Sequence, residues 1–191
     1  MKSSRNLLPL ITLLLLCGLS ASAQTVPSDA KQFSKDGLSF SYPAGWEFND
    51  TSNADAQKLA FGRTDSEAQI TVFVFRTLVT SPEKIAEAKR VLVDKYVAST
   101  KKQFEEMDPK TTSSPATATI GTTASEGFKI RASLDGVPGS AEIQWAVVGQ
   151  RLVVLTFLGP DKALTKAMPA WDLMRATLKT EEPQPAASPK P

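Results

Sequence analysis

Gly37-Leu38-Ser39-Phe40-Ser41-Tyr42-Pro43-Ala44-Gly45-Trp46 is the stretch that decides the fold. Asp36-Gly37 is a turn signal, and Leu38 to Tyr42 then alternates apolar and polar. That pattern predicts a strand with Leu38, Phe40 and Tyr42 on one face. Pro43-Ala44-Gly45 breaks it, and Trp46-Glu47-Phe48 resumes the alternation as a short second strand. Proline fixes the backbone after the first strand. Glycine takes the conformation that turns Trp46 back toward the core. Trp46 is therefore expected to be structural and not a binding residue.

Downstream, Asn49 to Asp55 is a polar loop and Leu59-Ala60-Phe61 belongs to a third strand. Gln69 to Phe75 is the clearest strand, with Ile70, Val72 and Val74 on one face and Thr71, Phe73 and Phe75 on the other. Apolar residues on both faces predict a strand covered on both sides. Ser81-Pro82-Glu83 opens a helix: serine caps the free amides, proline fits the first helical position, and glutamate suits the positive dipole end. Its buried stripe is expected at Ile85, Ala88, Leu92, Tyr96 and Val97, and its end near Met107, before Asp108-Pro109. The stripe would pack on the sheet face carrying either Ile70, Val72 and Val74 or Phe73 and Phe75. Thr111 to Thr119 reads mainly as loop, with at most one edge strand. Three strands follow: Gly127–Leu134, with Phe128, Ile130, Ala132 and Leu134 inward; Ser140–Val148, with Ala141, Ile143, Trp145 and Val147 inward; and Arg151–Leu158, apolar on both faces and so central. Gly149-Gln150 is a tight hairpin turn. After Gly159-Pro160-Asp161, a short helix over 162–167 and a final helix over Pro169–Leu178, with Trp171, Met174 and Leu178 inward, are expected. The pattern predicts an α+β fold: an antiparallel sheet of about six strands packed between helices in one domain.

Working outward to the ends, Lys2 and Arg5, the apolar run Leu7–Leu16, and Ala21-Ser22-Ala23 form a secretory signal peptide over residues 1–23. The run is roughly half of the ~20 residues a spanning helix needs. Lipidation of Cys17 is the rival reading, although Leu16 stands where a small residue is wanted. Residues 24–35 read as a flexible lead-in, 36–180 as the folded domain, and 181–191, with Pro183, Pro185, Pro189 and Pro191, as a proline-rich disordered tail. Removing the leader from 191 residues with 22 basic and 20 acidic side chains leaves 168 residues and zero formal net charge. No basic block remains to favour nucleic acid or anionic lipid. One domain of ~100–150 residues can bury a real core at this length. The only cysteine leaves with the leader, so the processed chain has no disulfide and no thiol chemistry.

The Gly37–Trp46 motif resembles the opening of the PsbP-like superfamily, which takes in PsbP, bacterial DcrB-type envelope proteins, mycobacterial LpqN-type lipoproteins and Mog-type Ran-binding proteins. The resemblance runs from about Asp36 to Thr180: hairpins, a long helix, a three-strand meander and a closing helix. It implies an antiparallel sheet packed between helices and a binding or accessory role. It implies no reaction, and no functional residue transfers by motif.

Candidate chemistry is thin. The chain has no histidine, so the usual general base and the commonest metal ligand are missing. Asn49–Asp55 gathers oxygen ligands, but counting from Asp50 puts Ala54 and Asp55 where a calcium loop needs an oxygen ligand and a glycine. A surface turn fits better. Asn49-Asp50-Thr51 is also a glycosylation acceptor, meaningful only in a eukaryotic secretory host. Gly121–Lys129 has a phosphate-loop look, yet it leads into a strand and no helix terminus would face the anion. No serine sits in a nucleophile-elbow context. Glu105-Glu106 and Glu181-Glu182 are neighbours that point apart, and Trp46, Trp145 and Trp171 fall at inward positions. No catalytic, cofactor-binding or metal residues are assigned, and no cofactor is expected. The reading is a non-enzymatic exported accessory protein, periplasmic or extracellular, that binds a protein partner or envelope component and keeps no transmembrane anchor after cleavage. Two alternatives stand beside it: a small hydrolase using carboxylates or Ser/Lys, and a lipid-anchored accessory subunit held through Cys17.

Overall fold

The computed structural model describes residues 28–134 and 136–181. In chain order the elements are β1 (Lys31–Lys35), β2 (Leu38–Tyr42), β3 (Glu47–Asp50), β4 (Ala56–Arg63), β5 (Ser66–Leu78), α1 (Pro82–Ala88), a π-helical turn (Lys89–Val93), α2 (Asp94–Met107), β6 (Thr112–Ile120), β7 (Thr123–Leu134), β8 (Val137–Val148), β9 (Arg151–Pro160), α3 (Asp161–Thr177) and β10 (Lys179–Thr180). Seven strands form one antiparallel sheet in the order β3-β4-β5-β9-β8-β7-β6, and β1-β2-β10 form a second small sheet.

Sequence pattern and layer agree closely. β9 is the middle strand of the large sheet and is buried along most of its length, as its two-faced apolar run requires. On one face Ile70, Val72 and Val74 of β5 and Val153, Leu155 and Phe157 of β9 meet Leu38, Phe40 and Trp171 beneath the small sheet and α3. Phe157 and Trp171 stack with ring centroids 5.3 Å apart. On the other face Phe73 and Phe75 of β5, with Ile143, Trp145, Leu152 and Val154, meet Ile85, Leu92, Val93, Val97 and Phe104 of the α1–α2 helix. The sequence left two faces open for that helix, and it takes the Phe73/Phe75 side. The result is one α+β domain of three layers. The Gly149-Gln150 hairpin has positive φ at both residues, 51° and 66°. That is the type I′ geometry whose twist suits a two-residue loop. A Cβ at Gly149 would strike the Thr180 carbonyl, so β10 also demands glycine there.

Several expectations are corrected. The end of the expected flexible lead-in is strand β1, because Phe33 is buried against Phe40 with ring centroids 5.1 Å apart. β3 extends to Asn49-Asp50, into the polar loop. Thr112–Ile120 is a full edge strand paired with β7 through nine residue pairs, its Thr, Ser and Ala side chains mostly exposed. It is therefore invisible to hydrophobic periodicity. The two C-terminal helices are one. Pro169 lies inside α3 on its exposed side, while Leu164, Ala167, Ala170, Trp171 and Met174 bury the opposite side. The large sheet has seven strands with β6 counted. The leader 1–23 and the tail from Glu182 lie outside the described residues.

Candidate functional site

A cleft of about 660 Å³ opens at one end of the large sheet. Three elements build it. The β4–β5 hairpin brings Arg63, Asp65, Ser66 and Glu67, the β7–β8 hairpin brings the exposed Val137, and α3 brings Lys162, Ala163, Lys166 and Ala167. Trp46, only 3% exposed, forms part of the floor. Its position follows from Gly45, whose φ of +81° turns the chain so that the Trp46 amide approaches the Pro43 carbonyl at 3.4 Å.

The polar groups of the cleft divide into engaged and free. Arg63 holds Asp65 with two hydrogen bonds, Nε to Oδ1 at 2.8 Å and Nη2 to Oδ2 at 2.6 Å. Those bonds keep the Asp65 carboxyl below the usual carboxylate range, with a smaller pull from the Lys166 charge. Asp65 is thus an ionised, occupied carboxylate and a poor proton donor. The Ser66 hydroxyl accepts from the Ala68 amide at 3.2 Å. Lys162 and Lys166, four residues apart, share one face of α3. Among the described residues neither forms an ion pair. Asp161 faces away, accepting from Arg131 at 3.0 Å and from Ser140 at 3.2 Å. Two free ammonium groups above an apolar floor can hold an anionic or peptide ligand.

The sequence candidates go elsewhere. In the Asn49–Asp55 loop, Asp50 accepts from Lys35 at 2.8 Å and from the Ser52 amide at 2.9 Å, while Asn53 accepts from the Asp55 and Ala56 amides at 2.9 Å each. These oxygens close turns. Thr123–Lys129 is part of β7, not a loop. Glu105 and Glu106 face Lys101 and Lys102 on the exposed side of α2, at 3.6 and 3.7 Å. Trp145 and Trp171 are buried, 8% and 1% exposed. Among the described residues, no three carboxylate, histidine or cysteine side chains gather as a metal group. No helix there is long and apolar enough to cross a membrane.

No family model and no curated protein sequence matches the chain. Solved structures do. The solution structure of cyanobacterial PsbP (CyanoP) from Synechocystis sp. PCC 6803 aligns over 85% of this chain and 98% of its own, with 12% identity and a TM-score of 0.51. The chain has a PsbP-like fold. A protein from Bacteroides thetaiotaomicron VPI-5482 aligns over 80% of the chain at 15% identity and a TM-score of 0.52, the chain spanning about half of that structure's length, 49%. LpqN, described as involved in cell envelope biogenesis of Mycobacterium tuberculosis, aligns over 80% of the chain and 90% of its own at 12% identity and a TM-score of 0.46.

This PsbP-like fold contains a buried polar cluster that sequence reasoning missed. Arg151, at the start of the central strand, is 2% exposed. It donates from Nε to the Phe75 carbonyl at 3.1 Å, from Nη1 to the Asp36 carbonyl at 3.0 Å and from Nη2 to Gln57 Oε1 at 2.9 Å. Gln57, also buried, donates to the Lys35 carbonyl at 2.9 Å. Burial pushes the guanidinium pKa down, helped by the Arg76 charge and opposed by Asp36. The bonds tie the Lys35 and Asp36 carbonyls of the β1–β2 hairpin to β4 and β9 of the large sheet, so the cluster is a fastening. The only sequence signal was a charged residue opening an apolar run.

Proposed function

We propose that the chain is an exported accessory protein of the cell envelope that holds a segment of a partner protein in the cleft beside α3. The observation that carries this reading is the pairing of two unengaged lysines with an apolar floor, where Asp65 and Ser66 are already engaged and Glu67 is the one carboxylate of the lining outside any ion pair among the described residues. Such a site recognises without reacting. The exported half of the reading is supported by Lys2, Arg5, the apolar run and Ala21-Ser22-Ala23.

A photo-crosslinking residue at Val137, expressed in the native host, tests it. The expected result is a discrete adduct that is lost when Lys162 and Lys166 are both changed to Glu and that does not form from a probe at Lys102. An adduct that persists through the double reversal, or none from Val137, rejects the cleft as the binding site. Intact mass and amino-terminal sequencing of the same preparation read the export half. A mature terminus at Gln24 is expected; an uncleaved leader would reject export, and diacylated Cys17 would replace a free protein with an anchored one.

A further inference from the structure

A second cavity, of about 340 Å³, lies on the opposite face of the sheet between the end of β5 and the α1–π segment. Two irregularities of the backbone bound it. The ladder between β5 and β9 slips between Val74 and Leu78. Directly across, the helix makes its π-helical turn, with the Asp94 amide bonding the Lys89 carbonyl five residues back. Bulges re-aim strands beside sites, and π turns recur at functional positions. Here both are found where the helix crosses the sheet.

The lining of this cavity is mostly apolar. Leu152 and Val79 are buried at 1% and 7% exposed, and half-buried Phe75, Leu78 and Leu92 flank them. At the rim stand Lys84 and Glu87, one helical turn apart and opposite in sign. Among the described residues neither takes part in an ion pair, with each other or with any other side chain. A ligand that answers both charges must carry an anion and a cation close together, next to a compact apolar body. We propose that this cavity binds a free α-amino acid with an apolar side chain. The ligand carboxylate faces Lys84, its ammonium faces Glu87, and its side chain lies against Phe75, Leu78, Leu92 and Leu152. The exposed charge contacts set orientation and contribute little affinity, so the apolar body decides the selectivity. This inference is independent of the cleft beside α3, which lies on the other face.

An amide-resolved NMR titration of the whole processed chain tests it, with L-leucine, L-phenylalanine, glycine, 4-methylpentanoate and isopentylamine as probes. Leucine and phenylalanine are expected to give saturable shifts confined to Phe75–Leu92 and Leu152. Glycine should bind about tenfold more weakly or worse, since the buried side chain is missing. Lys84→Glu should weaken leucine and 4-methylpentanoate and spare isopentylamine, and Glu87→Lys should do the reverse. Both positions are exposed, so neither change threatens the fold. Several results overturn the proposal: no saturable shift at about 10 mM ligand, glycine binding like leucine, shifts centred on Trp46 and Lys162, or charge reversals without effect.

Discussion

At the scale of single residues, Trp46 and Arg151 fix how the two sheets join. Trp46 follows Gly45, whose positive φ favours glycine, and its indole forms part of the base of the end cleft. Trp46→Ala is expected to cost ~3–5 kcal/mol in urea unfolding, a large share of the ~5–15 kcal/mol typical of a domain. If the variant instead unfolds like the parent and loses only a ligand, the tryptophan is a contact residue and the structural reading of the opening motif is wrong. Arg151→Leu leaves the Phe75 and Asp36 carbonyls and the Gln57 amide oxygen without their donor in a buried place. The expected loss is ~2–4 kcal/mol. Arg151→Lys should recover less than half of it, because one ammonium cannot span three acceptors on three segments. A lysine variant as stable as the parent would show that charge, not the fork, matters. Tryptophan could be placed from sequence because its neighbours alternate. Arginine could not, since a charge at a strand start reads as solvated until the tertiary partners are known.

At the scale of elements, the long helix shows where periodicity holds and where it slips. The sequence stripe Ile85, Ala88, Leu92 continues at a spacing of four to Tyr96, which is 39% exposed and reaches the sheet through its hydroxyl, 2.9 Å from Thr156 Oγ1. The buried positions are Val93, Thr100 and Phe104, with Val97 half-buried. The π turn is the reason: it adds one residue to a turn, so every inward position after it moves on by one. Regular helical spacing cannot announce such an insertion. Deleting the exposed Arg90 should turn the segment into plain α-helix and bring Ala88 and Val93 four residues apart on one stripe. The shortened chain is expected to keep its far-ultraviolet circular dichroism and to lose less stability than Phe104→Ala. If it unfolds, the π turn is required by the sheet and is not a local insertion. Pro169 and β6 failed to read true for a related reason: the burial that overrides the proline, and the partner strand that orders Thr112–Ile120, both lie far away in sequence.

At the scale of the whole molecule, the α+β plan, the central position of β9 and the covering of both sheet faces were legible, because each rests on long apolar runs. The end cleft was not, since its lining comes from two hairpins and a helix whose surface residues show no pattern until the chain is folded. The charge layout gives a pH signature. Asp50, Asp65, Glu83 and Asp108 are all held below their ordinary values by hydrogen bonds, first from Lys35, from Arg63, from the Glu83 backbone amide and from the Lys110 amide respectively. A carboxyl depressed in the folded state contributes stability that is complete above its unfolded value of about 4 and is lost as pH falls toward the folded one. Lys35 is raised by Asp50, so its contribution is lost only on the alkaline side, above about 10. With no histidine in the chain, the melting temperature should be level from about pH 5 to 9 and fall below about pH 4. Asp108→Asn should shrink the acid-side fall; a step between pH 6 and 7 would contradict this account. The strand order has another outcome, in time. β2 is flanked by β1 on one edge and by β10 on the other, so the first and last strands of the described chain share one neighbour. A ribosome or translocation channel delivers such a chain from one end. Its hairpins can close as they emerge, but the sheet that seals the aromatic core must wait for the final strand. Until then the protein is held unfinished, threadable and open to any chaperone that meets it.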